Sequence, residues 1–148
     1  MKILIPTDGS KPALNAVKYV AKLVANLTSK VTVTLINVHD ESGLLYADQF
    51  EGVPNVIMSV DDVRSYLLSL SRQELKSAQK ILDKASIQHN MIIGIGRVSD
   101  EILAVANKEK FDLIVMGVKG RTAFADILMG SVAQRVSHLA KQPVLLIK

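Results

Sequence analysis

The stretch "VMGVKGRTAFADILMGSVAQRV", residues 115–136, carries Gly117, Gly120 and Gly130, with Ser131 directly after the third. Three of the chain's eight glycines therefore fall in one short segment, in the pattern G-x2-G-x9-G-S. Glycine lets backbone N–H groups come close to a phosphate, and the free N–H groups at a helix start attract anions. Gly117 and Gly120 would shape a turn leaving a strand, Gly130 and Ser131 would stand at the N-terminus of a helix, and a triphosphate could lie between them. Lys119 and Arg121 put cations beside those phosphates. Neither GxxxxGK[ST] nor GxGxxG is present. From average glycine and hydroxyl-residue usage, the observed pattern arises by chance in roughly one chain in 200 of this length. An architectural reading stands beside the phosphate one: Gly117 ends a strand, Gly120 makes a turn, Gly130 relieves crowding of a helix on a sheet, and Ser131 only caps.

Other side chains bear on catalysis. Efficient phosphate hydrolysis needs a base or water-positioning group and a charge stabiliser near the γ-phosphate. Asp8, His39 and Asp126 are the obvious candidates. His39 has the more ordinary reading of a loop or packing histidine, Asp126 that of a cap or solvated charge, and Asp8 that of a binding residue. No GxSxG elbow accompanies the serines, so acyl transfer is unsupported. The absence of cysteine removes disulfides, thiolate metal sites and cysteine nucleophiles.

The 148 residues suit a single domain, 1–148, with an ordinary core. The composition is 49% hydrophobic, yet no apolar run approaches the roughly 18 residues of a membrane span. The opening "MKILIPTDGS" has too short an apolar run for a signal peptide and reads as a strand, so a cytoplasmic protein is expected. Net charge is +4, but the 18 Lys and Arg are scattered and aromatic residues make up only 4%. Nucleic acid is therefore a poor partner for this chain, and the charge favours small anionic ligands instead.

Periodicity supplies the elements that must position the glycines. "KILI" is a short strand ended by "PTDGS". A helix begins near Ser10, with Pro12 in its first turn and an apolar face of Ala13, Leu14, Val17, Val20, Ala21, Val24 and Leu27. Residues 30–38, "KVTVTLINV", form a second strand. Residues 39–60 show no clean period and read as a long connection. From Asp61, the spacing of Val63, Leu67, Leu70, Leu75, Ala78, Leu82 and Ala85 predicts a long helix with Asp61 and Asp62 at its positive end. "QHNMIIGIG" gives a third strand, and Ser99 is placed to cap a helix with Ile102, Leu103, Val105 and Ala106 on its apolar side. "FDLIVMG" is a continuous apolar run of the kind found at the centre of a parallel sheet. Ser131 and Gln134 have capping-box spacing before Val132, Ala133, Val136, Leu139 and Ala140; Pro143 ends that helix, and "PVLLIK" is a fifth strand. The alternation argues for an α/β fold, a parallel sheet with helices on both faces. In such sheets ligands sit outside the carboxyl ends of the strands.

The chain resembles the universal stress protein family over essentially its whole length. "ILIPTDGS", "LINVHD", "VMGVKGRTAFADILMGSVAQRV" and "QPVLLIK" carry the resemblance, and the third segment matches the pattern of the ATP-binding branch. The resemblance implies an open five-stranded parallel sheet in the order 3-2-1-4-5, adenine nucleotide alpha hydrolase-like, with ATP at the carboxyl ends of strands 1 and 4. By matching positions, Pro6, Thr7 and Asp8 line the adenine and ribose side, Asp8 as partner of the ribose hydroxyls. Val38 packs on the adenine, Met116 and Gly117 border the sugar, and Gly120, Arg121, Gly130, Ser131 and Val132 surround the phosphates; Lys119 joins them as a cation. Mg²⁺ would be held through the phosphates. Lys119 stands where the family often has His, Ala123 where Gly is common, and "GRVSDEI" lacks a frequent proline.

The expectation is a nucleotide-dependent regulatory protein of the stress response, with slow or no ATP hydrolysis. It is expected to form a homodimer through the C-terminal strand, 143–148, because an apolar edge strand needs cover. Two other classes stay open: a dimeric interaction module independent of nucleotide, and a genuine ATP hydrolase.

Overall fold

The computed structural model describes residues 1–40, 60–120 and 129–148. The elements run β1 (Lys2–Pro6), α1 (Lys11–Ala25), β2 (Thr32–His39), α2 (Val60–Lys84), β3 (His89–Ile95), α3 (Val98–Lys108), β4 (Leu113–Gly117), α4 (Ser131–Leu139) and β5 (Val144–Ile147). The strands form one sheet in the order β3-β2-β1-β4-β5, and all of its pairings are parallel. No helix among the described residues is long and apolar enough to cross a membrane.

The alternation of side chains across the strands divides the core in two. Ile3, Ile5, Val33, Leu35 and Val115 face α1 and α2, whose Val17, Val20, Leu75, Ala78 and Leu82 are buried against them. Leu4, Ile36, Ile114 and Met116 face the other way, onto Ile102 and Ala106 of α3 and Ala133 and Val136 of α4. Strands covered on both faces must be apolar at successive positions, which is why "KILI" and "LIVM" lack a polar stripe. Burying apolar surface on both faces at about 25 cal/mol per Å² is the largest favourable contribution to such a sheet.

Sheet order also fixes where a crevice opens. The first two crossovers build outward from β1 through β2 to β3, and the third returns across the sheet to lay β4 on the other side of β1. Between the carboxyl ends of β1 and β4 the chain departs to opposite faces of the sheet, the position at which an open parallel sheet forms a crevice.

Several boundaries differ from those expected. Helix α1 ends at Ala25, which leaves Leu27 outside the apolar face and 38% exposed. Helix α2 ends at Lys84, and Ala85 belongs to a turn closed by N–H bonds to Ile81 and Leu82 carbonyls. Ser99 is not a cap: α3 already begins at Val98 after an extended Arg97, whose carbonyl accepts the Asp100 and Glu101 N–H groups, and Ser99 is buried inside the first turn. The capping box of Ser131 and Gln134 does not form either, because Gly130 is the N-cap and Ser131 is the first helical residue. Leu139, assigned to the apolar face of α4, is 50% exposed. Ser10 does cap α1, its hydroxyl accepting the Ala13 N–H, with proline in the first turn.

Gly117 is the tightest point in this packing. A Cβ built there would lie 2.7 Å from the Pro12 carbonyl carbon and 2.9 Å from the Ala13 nitrogen, both backbone atoms of α1. Neither can move without shifting the helix. Gly117→Ala is accordingly expected to cost about 1–3 kcal/mol of stability through overpacking. Urea unfolding checks this: the midpoint should fall with an unchanged slope, whereas a wild-type midpoint would mean that α1 does not approach β4 this closely.

Candidate functional site at the carboxyl ends of strands 1 and 4

The turn after β1 is built by its own polar groups. The Thr7 N–H donates to the Ile36 carbonyl at 2.9 Å, extending the β1–β2 ladder by one residue. The Thr7 hydroxyl accepts the Gly9 N–H at 3.3 Å, and Asp8 Oδ1 accepts the Ser10 N–H at 3.0 Å. Gly9 takes φ +76°, a conformation that only glycine adopts without strain, and a Cβ there would press on the Glu74 carbonyl at 3.2 Å. The "TDG" order thus turns the chain sharply while leaving the Asp8 carboxylate at the mouth of the crevice; its Oδ2 lies 3.2 Å from where a Cβ on Gly120 would be.

Across the gap, β4 runs into Val118, whose N–H donates to the Ile147 carbonyl at 2.8 Å. The Gly130 N–H donates back to the Val118 carbonyl at 2.8 Å, which brings the start of α4 against the exit from β4. The first helical N–H to find a backbone acceptor is that of Gln134, on the Gly130 carbonyl at 2.9 Å. The N–H groups of Ser131, Val132 and Ala133 have no backbone acceptor among the described residues, and Ser131 is the first helical residue rather than the cap. Such a helix end is an anion site in waiting.

Between these two turns lies a cavity of about 340 Å³, within the range of small-molecule sites. Its walls divide by chemistry. Ile36, Val38, Val98, Ile102 and Met116 make one apolar end, and Thr7, Asp8, Lys119, Gly120, Gly130 and Ser131 line the polar remainder. Of the residues assigned to nucleotide from the sequence, Pro6, Thr7, Asp8, Val38, Met116, Gly117, Lys119, Gly120, Gly130, Ser131 and Val132 all line this one cavity. Arg121 lies outside the described residues, as do Ala123, Asp126 and positions 41–59 of the long connection. Val98, Ile102 and Met129 also line it, and Ile36 as well. From the sequence, Ile36 carries only a strand reading and Ile102 only a helix-face reading, and Val98 and Met129 carry none, since periodicity cannot tell a core wall from a pocket wall.

A second polar group stands beneath the Asp8 turn, on the α2 face of the sheet. Asn37, 2% exposed in the middle of β2, donates from Nδ2 to the Thr7 carbonyl at 2.8 Å and to Glu74 Oε2 at 2.9 Å. Its Oδ1 accepts the Ser71 hydroxyl at 2.7 Å. His39 is the last residue of β2, with Nε2 3.9 Å from Glu74 Oε2; it does not line the cavity. Among the described residues, no group of three or more His, Cys, Asp or Glu could hold a metal.

The universal stress protein family model matches residues 1–148. The chain is 32% identical to universal stress protein MJ0577 of Methanocaldococcus jannaschii, over 99% of this chain and 94% of that one. The chain belongs to the universal stress protein family. The solved structure of MJ0577 superposes with a TM-score of 0.81 at 30% identity, covering 99% of this chain and 94% of that one. The fold is shared with two universal stress proteins solved with nucleotide. One, from Archaeoglobus fulgidus, is in complex with dAMP (TM-score 0.62, 22% identity, 100% and 98% coverage). The other, from Arabidopsis thaliana, has AMP bound (TM-score 0.66, 17% identity, 100% and 91% coverage).

The three glycines of the universal stress protein pattern differ in what holds them. Gly117 is demanded by helix packing, but Gly130 has φ −71°, and a Cβ there would make only ordinary contacts, the nearest at 3.5 Å. Gly130→Ala should therefore lower stability by no more than about 1 kcal/mol, the cost of a poorer N-cap. Thermal unfolding beside Gly117→Ala checks the ranking; equal losses in the two variants would make Gly130 a packing residue too.

Proposed function

We propose that this universal stress protein is an ATP-binding regulatory protein, with the nucleotide in the cavity between β1 and β4. The observation that carries the reading is the joining of two chemistries in one cavity. An apolar end is bounded by Val38 and Met116, and a polar end is bounded by glycines, a lysine and the N-terminus of α4. Adenine would pack on Val38, the ribose hydroxyls would donate to Asp8, and Met116 and Gly117 would border the sugar. The phosphates would lie against Gly120, Gly130, Ser131 and Val132, with Lys119 and Arg121 as cations. A phosphate oxygen can approach the N–H groups of residues 131–133 because residue 130 has no side chain to stand in front of them. The AMP and dAMP bound to the two structural neighbours support the class of ligand. ATP, rather than a monophosphate, rests on the full G-x2-G-x9-G-S pattern. Mg²⁺ would bridge phosphate oxygens and water, as it commonly does where few protein carboxylates converge.

The described residues lining the cavity include no histidine, and its carboxylate, Asp8, is engaged by the Ser10 N–H. Slow or no hydrolysis is proposed with it, nucleotide occupancy rather than turnover being the signal. The protein would act in the cytoplasm as one family domain over residues 1–148. It would pair with a second copy through β5, an edge strand whose four residues are all only partly buried.

Gly130→Asp tests the assignment. A carboxylate at the mouth of the phosphate end should repel the triphosphate and weaken Mg-ATP binding at least about 100-fold, the scale of a close like-charge contact in a partly desolvated site. Calorimetry reads the affinity, and light scattering reads whether the dimer persists. Undiminished binding by the folded variant would remove the phosphates from this loop.

A further inference from the structure

Outside the cavity, the buried Asn37 side chain makes three hydrogen bonds. A polar residue in the middle of "LINV", at the centre of a strand buried on both faces, costs free energy unless each of its groups is paired. Here the pairing is complete in kind: Oδ1 accepts from Ser71 of α2, and Nδ2 donates both to Glu74 of α2 and to the Thr7 carbonyl. The last of these is the bond that matters for ligands, because it grips the backbone one residue before Asp8.

The turn is held from several sides. The Thr7 N–H is bonded to Ile36 and the Thr7 carbonyl to Asn37, so both peptide groups of that residue are fixed by β2. Gly9 packs on the Glu74 carbonyl, and the Ser10 N–H holds one oxygen of Asp8. With Thr7 pinned and Ser10 committed to the cap of α1, Asp8 has little freedom left in its backbone. Its carboxylate is aimed toward Gly120 across the crevice.

We infer that Asn37 is a positioning residue for ribose recognition: by tying the Thr7 carbonyl to α2 through Ser71 and Glu74, it holds the Asp8 carboxylate where the sugar hydroxyls reach it. This rests on the nucleotide site proposed above. Asn37 itself faces α2, through its bonds to Ser71 and Glu74, and is not among the residues lining the cavity. A group that only supported packing would lower stability and weaken all ligands alike. A group that positions Asp8 controls one thing selectively, the preference for a sugar that carries hydroxyls.

The experiment compares Mg-ATP with Mg-2′,3′-dideoxy-ATP by calorimetry on the whole protein, stripped of bound nucleotide, as wild type, Asn37→Ala and Ser71→Ala. Hydrogen bonds to a charged acceptor make the wild type prefer ATP by about tenfold or more. In Asn37→Ala that preference falls to within about threefold, while affinity for the dideoxy analogue changes little, because the phosphate and base contacts are untouched. Ser71→Ala leaves Asn37 present but frees its amide to rotate, so its preference falls in the same direction by less; it decides the matter where Asn37→Ala does not fold. Retention of the full preference in both variants would overturn the inference, as would equal weakening of the two nucleotides. A wild type that binds both equally would also overturn it while leaving the nucleotide site standing. A wild type that binds neither would overturn the nucleotide site itself, and this inference with it.

Discussion

Helix α1 lies against the end of β4 because residue 117 has no side chain, and much of the crevice follows from that contact. Any Cβ at Gly117 would meet the backbone of Pro12 and Ala13, so the first turn of α1 can rest on β4 only with glycine there. The "PTDGS" turn leads directly into that first turn of α1. The chain leaving β4 at Val118 meets the start of α4 through the Gly130 N–H. One close approach therefore sets the distance between the Asp8 turn and the open helix end. Widening it would separate the two halves of the cavity before any residue lining it had changed.

The sheet gives the two sides of this arrangement different tasks. On one face, α3 and α4 supply walls of the cavity and the N–H groups of residues 131–133, which have no backbone acceptor among the described residues. On the other, α2 reaches the same turn from behind through Ser71, Asn37 and Glu74. β2 links them by alternation: Ile36 and Val38 point into the cavity wall, and Asn37 and His39 point to α2. A shift of one residue in its register would exchange these sets and destroy both. Its pairing with β1 through Lys2↔Thr32 to Pro6↔Ile36 is therefore as much a part of the site as any residue lining it.

Most of the architecture was legible in the sequence because it is written in local periods. The apolar spacing of α1 and α2, the runs "KILI" and "LIVM", and the alternation of strand and helix each constrain a few neighbouring residues, and the sheet order followed from a resemblance carried by four segments. Helix ends were less legible. Ser99 and Ser131 have good capping chemistry, yet α3 begins two residues and α4 one residue earlier than a serine cap would place them, because the residue before each helix already supplies the first carbonyl. Leu27 and Leu139 continue a helical period that the chain does not bury. Gly117 was read as a sugar-side residue or a strand end; its collision with α1 depends on a contact about 100 positions away in sequence, beyond any local signal. The same is true of Asn37, whose partners on α2 lie more than 30 residues away.

The central claim is that the cavity between β1 and β4 holds an adenine nucleotide with its phosphates on the N-terminus of α4. Its most direct test is to denature the purified protein, identify any nucleotide released, and titrate the stripped protein with Mg-ATP by calorimetry. Recovered ATP, or one site per chain with micromolar affinity, about −8 kcal/mol, is the predicted result. A stripped, folded protein that binds neither ATP nor any other nucleotide would contradict it, and would leave Gly120 and Gly130 as parts of a turn alone.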